Sequence, residues 1–246
     1  MKRKTLALLF ALAVLPWSHA DDPKTKNEEP DENWMQTYYQ KPTPERFETE
    51  VRKLQKTGVL SKPNTIIPMT AFLSRLFAME DDRLPKWLTV ADAFPEKDRQ
   101  VFILALHWAN TDASRKALDA YTKAEGDIGD FARKVARGGR PDFKDNAHPS
   151  PEELDGCWAS FFATGEAAYV HTVIRCATAP QQQGRIDLAH HAARWSLKSL
   201  CRMQAPVLKI KDDFYKTATA QQKASLDALF KEKRPPNKTN TDKTDA

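Results

Sequence analysis

Glycine is scarce in this chain of 246 residues, at 8, and cysteine scarcer still, at 3. Alternating β-branched runs are nearly absent, so little in the sequence asks for a sheet. The missing motifs exclude more. There is no G-x-S-x-G elbow, no phosphate-cradling glycine loop, no H-E-x-x-H and no dinucleotide fingerprint. C-x-x-C-H is also missing, which removes covalent haem. No apolar run approaches the roughly 20 residues of a spanning helix; Leu6 to Leu15, about half that length, is the longest.

That short run has a meaning of its own. Lys2, Arg3 and Lys4 precede it, Pro16 ends it, and Ser18-His19-Ala20 follows with the small residues a signal peptidase accepts. Residues 1–20 read as a signal peptide cleaved after Ala20, with a periplasmic or secreted mature chain and no stable membrane anchor. Delivery onward to another cell is compatible with the same signal. Cleavage removes three cations, leaving 35 Lys plus Arg against 33 Asp plus Glu. A nucleic-acid binder needs a clustered positive excess, so nucleic acid is not expected as a partner.

What remains reads as an all-α protein of about ten helices in antiparallel hairpins. Residues 21–33 are a polar leader and 232–246 a polar tail, both expected to be disordered. Between them runs a helical domain, 34–231. Thr43-Pro44 has the form of a helix start, and Phe47, Val51 and Leu54 follow at helical spacing before Gly58. Segments 67–79, 96–109 and two shorter ones broken near Gly126 complete a first unit, 34–136. The Gly/Pro/Asn-rich stretch 137–150 reads as a linker. Ser150-Pro151-Glu152-Glu153 opens the second unit, 151–231, with a capping box, and Thr219 to Gln222 forms another.

The two units correspond in order at a shift of about 85 residues. Phe77-Ala78 aligns with Phe162-Ala163, and Leu84, Trp87 and Leu88 with Val170, Val173 and Ile174. Ala105 and Trp108 align with Ala192 and Trp195. A repeated helical unit is the expectation. Three stretches, "YYQKPTPERFETEVRKLQKTGVL", "FFATGEAAYVHTVI" and "WSLKSLCRMQAPVL", resemble a family of exported bacterial proteins of unknown function. The resemblance implies an all-helical secreted protein and carries no activity, cofactor or site residue with it.

The stretch "CWASFFATGEAAYVHTVIRCA", 157–177, gathers the most chemistry. In a helical hairpin, Cys157 and Cys176 fall at the same end, so a Cys157–Cys176 disulfide with Cys201 as a buried thiol is expected. Three reduced, buried thiols are the alternative. His171 lies about 140° around the helix from Cys176, too far to serve it as a base. Asp187 and His191, four apart, suit a surface pair better than a metal site, which needs more ligands. His107 beside Trp108 reads as a core histidine.

No catalytic residue, metal or cofactor emerges. The expected function is a non-enzymatic, exported protein-interaction module with an unknown protein partner. The alternative is an exported hydrolase or small-molecule-binding protein with a site between the units, near Trp108 and Trp195.

Overall fold

A computed structural model describes residues 34–180 and 187–231. The expected signal segment 1–20, leader 21–33 and tail 232–246 lie outside the described residues. The described residues are 79% helical, 3-10 turns included, with twelve α-helices and no strand among them, so the all-α class is borne out. None of these helices is long and apolar enough to cross a membrane.

Local chemistry explains most boundaries. Pro44–Arg46 forms a 3-10 turn that leads into α2, Phe47–Lys56, after the short α1, Trp34–Thr37. Thr43 makes no side-chain cap there; its hydroxyl accepts the Trp34 indole N–H at 3.0 Å. Gly58, two residues past the end of α2, has φ +69°, a conformation that favours glycine. The next helices are α3, Ile66–Met79; α4, Leu84–Asp92; and α5, Glu96–Ala109.

The pair broken near Gly126 is α6, Asp112–Thr122, and α7, Gly126–Ala136. A capping box that the sequence reading passed over joins Thr111 and Ser114 at the start of α6. In the second half α8, Pro151–Thr164, starts on the expected box. Ser150 Oγ accepts the Glu153 N–H at 3.2 Å, and Glu153 Oε2 accepts the Ser150 N–H at 2.7 Å. Then come α9, Ala167–Thr178; α10, Leu188–Met203; α11, Ala205–Thr217; and α12, Ala220–Lys231. Thr219 and Gln222 close the other expected box.

The core is one apolar cluster shared by both halves. α3 and α8 pack along each other at its centre, and α5 covers a further side of α3. α3 buries Met69, Phe72, Leu73, Leu76 and Phe77, so it is apolar nearly all round. Aromatic rings join α1 to this centre: Trp34, Tyr38 and Phe72 meet edge to face at 5.4 to 5.8 Å. Phe47 stacks on Trp87 at 4.2 Å. Such pairs add about 0.5–1.5 kcal/mol each beyond burial.

The stretch 137–150 is irregular, as expected, but it is no loose tether. Phe143 is buried, its carbonyl accepts the Cys157 thiol, and its ring meets Trp108 at 5.6 Å. Gly156 makes room for that ring, since a Cβ there would lie 2.5 Å from it. The Lys144 carbonyl accepts both Thr172 Oγ1, at 2.5 Å, and Arg175, at 2.6 Å. The stretch thereby bridges α5 and the α8–α9 pair.

Candidate functional site

The described surface is most unusual along the outer face of α10. Asp187 caps this helix by accepting the His190 N–H at 3.1 Å. Ala193, Ser196, Leu197, Leu200 and Cys201 form its inner, buried face. Ser196 accepts the Trp158 indole N–H at 3.1 Å and so fastens α10 to α8. At the far end Tyr39 donates its hydroxyl proton to Gln204 Oε1, 2.9 Å away, immediately after the helix.

The opposite face is apolar where water is expected. Leu188 is 61% exposed, Trp195 46% and Met203 53%. At 100° per residue these three fall within an arc of about 80°. His191, Lys198 and Arg202 follow along one edge, with Arg194 just beyond. Within its sixteen residues α10 has three permanent cations and no carboxylate.

Several other surface helices carry both signs of charge. In α2, α6, α7 and α11 a lysine or arginine finds its carboxylate three or four residues away on the same helix, as in Arg52–Glu48 and Lys209–Asp213. Exposed apolar residues scattered singly need no account; here three share one face of a single helix.

The residues singled out in the sequence lie elsewhere or do other work. Cys157, Cys176 and Cys201 are all buried free thiols, with no two at bonding distance, so the Cys157–Cys176 bridge is not formed. The physical reason is packing: Cys157 turns its sulfur to the Phe143 carbonyl at 3.3 Å. Burial pushes the Cys157 and Cys201 thiols up to about 12 and Cys176 to about 11, and a thiol that stays protonated is a poor nucleophile. His171 packs on Phe214 at 5.4 Å.

The expected Asp187–His191 side-chain pair gives way to the cap on His190, because the carboxylate reaches the free N–H groups of the first turn. His190 is buried while His191 is exposed, with the two rings 6.0 Å apart. Among the described residues no group of three His, Cys, Asp or Glu is placed to hold a metal. His107 is the core histidine expected: its Nε2 donates to the Gly138 carbonyl at 3.1 Å, and its own carbonyl accepts Arg140 at 2.7 Å.

Three other features hold chemistry without assembling a reaction. Asp155 on α8 is raised to about 7, first by burial and then by the charge of Glu152. Lys144 and Arg75 lie 5.2 and 5.6 Å from the ring centre of Tyr169, but Glu166 already neutralises Lys144 at 2.5 Å. An open depression of about 460 Å³ is lined by Met79, Glu80, Asp81, Asp82 and Arg83. It lies away from the Trp108–Trp195 region where the small-molecule alternative placed its site. Trp108 leans on Phe143, whereas Trp195 stands on the outside of α10.

Sequence reasoning missed the α10 face. Its signal was present in the sixteen residues "LAHHAARWSLKSLCRM", in which cations occur without acids. Comparison with known protein families, curated proteins and solved structures finds no match to this chain.

Proposed function

We propose that this is an exported, non-enzymatic protein, built from two related helical units, whose work is to bind another protein through the outer face of α10. The observation that carries the reading is the stripe of Leu188, Trp195 and Met203 edged by Lys198 and Arg202. Charge complementarity sets the partner: a segment with apolar anchors and carboxylates, laid along the helix. Trp195 is the expected hot spot, since a large aromatic at the centre of such a patch carries much of the binding energy.

The test is crosslinking in the native compartment with three variants run side by side. Trp195→Ala and Arg202→Glu should each lose the captured partner at least several-fold. Both should unfold within about 0.5 kcal/mol of the parent, as surface substitutions do. Met79→Ala, at a comparably exposed apolar residue outside the stripe, should capture normally. Equal capture by all three variants would sink the reading, as would a captured segment with no carboxylates.

A further inference from the structure

Both halves of the chain and the stretch between them meet at the Tyr169 ring. Tyr169 stands in the first turn of α9, 1% exposed, and its hydroxyl is buried with no hydrogen-bond partner. The Arg75 guanidinium, from α3, lies 5.6 Å from the ring centre, and Lys144 Nζ, from the 137–150 stretch, lies 5.2 Å from it. Among the described residues Tyr169 is the one ring with two cations against it. Arg75 Nε is likewise buried with no hydrogen-bond partner. The nearby carboxylate, Glu166, pairs with Lys144 at 2.5 Å, and among the described residues none pairs with Arg75. A buried donor without a partner is costly, and two of them at one ring call for an acceptor between them.

The surroundings hold this niche in shape. The Lys144 carbonyl accepts Thr172 Oγ1 and Arg175 Nη2, which fixes the lysine's backbone to α9 and engages Arg175 there. α3, which carries Arg75, packs along α8. Arg75 is half-buried, while the Lys144 and Glu166 side chains are 42% and 48% exposed, so the niche opens to water on the lysine side. Burial raises the Tyr169 hydroxyl from its ordinary value of 10 against the pull of Arg75 and then Lys144, so near neutral pH it keeps its proton and can donate it. Around the ring, two cations against one carboxylate leave a single positive charge.

We propose that this niche binds a small molecule through one carboxylate group, with Arg75 and the Tyr169 hydroxyl as donors and Lys144 as the second cation. The planar fork of an arginine matches the two oxygens of a carboxylate, and one negative charge balances the one left over. A phosphate dianion brings one charge too many while Glu166 holds Lys144. Glu166 competes with the ligand for the lysine. The site is independent of the α10 face.

Acetate and inorganic phosphate, titrated into the intact chain at constant ionic strength, are the probes, with the Arg75 Nε–H resonance as the readout. Acetate should shift it to saturation, with a midpoint several-fold below that of phosphate. Tyr169→Phe should weaken acetate several-fold while the unfolding midpoint stays at or above the parent's, because a buried unpaired group is removed. Glu166→Gln should tighten acetate several-fold, since the competing carboxylate is gone. Arg52→Gln, at a cation paired with Glu48 on α2, should change nothing.

A shift that rises without saturating, or that is the same in Tyr169→Phe, would overturn the site and leave the two unpaired donors to water. Phosphate bound as tightly as acetate would overturn the carboxylate assignment. Loss of stability in Tyr169→Phe would overturn it from the other side, by showing that the hydroxyl already has a partner within the fold.

Discussion

α5 and α10 carry the same local signal, an alanine followed three residues later by tryptophan, and the fold treats them differently. On α5, Ala105 is buried and Trp108 is half-covered by Phe143 from the 137–150 stretch. On α10, Ala192 is half-buried and Trp195 is 46% exposed. Packing neighbours make the difference. α3, α4, α6 and α7 surround α5, whereas α8, α9, α11 and α12 reach α10 and leave its outer face to water. A tryptophan at helical spacing announces an apolar face; it does not say whether the protein or a partner covers it.

The contrast can be broken from the α5 side first. Phe102, at 1% exposure in the middle of α5, should lose about 3–5 kcal/mol of stability on Phe102→Ala, through lost burial and the cavity left behind. A denaturant midpoint that moved no further than that of Trp195→Ala would erase the distinction between the two helices.

A smaller change should make Trp108 resemble Trp195. Gly156→Ala places a methyl group 2.5 Å from Phe143, so the ring that shields Trp108 must leave. Overpacking of this kind costs about 1–3 kcal/mol. The red shift of Trp108 emission should accompany easier proteolysis within 137–150. If emission and cleavage stay as in the parent, Phe143 is not the cover.

The histidines sharpen the comparison with the smallest effect. His107 on α5 and His190 on α10 are both buried, and burial lowers each from the ordinary value of 6.5. Neighbouring charge adds to this, from Arg140 at His107 and from Arg194 and then His191 at His190. The unfolded chain then binds more protons than the folded one in mild acid, so stability rises with pH in that range. Stability present above about pH 6.5 should be lost as the pH falls through the lowered folded values. His107→Asn together with His190→Asn should flatten the midpoint between pH 7 and 5, and an unchanged slope would show that neither histidine is held neutral by the fold.

Much of the fold was legible because its signals are local. The Ser150–Glu153 box, Gly58, the break near Gly126 and the bounds of α5, α8 and α12 follow from hydrogen-bonding groups and apolar spacing within a few residues. α1 escaped notice because four residues contain no period to read. The site was less legible. Cys157 and Cys176 fit a bridge on helical positions alone, while the direction of the Cys157 sulfur was settled by Phe143, fourteen residues earlier in the chain.

By itself the sequence determined that this chain is helical and where most of its helices begin and end. Those properties depend on caps, breakers and spacing, each acting over a turn or two of backbone. Only the tertiary structure decided that both halves share one core through α3 and α8, that the 137–150 stretch is packed in place, and that α10 keeps an apolar, cationic face outward. Exposure is set by which elements arrive at a surface from distant parts of the chain, and α5 and α10, with the same alanine–tryptophan spacing, received different neighbours.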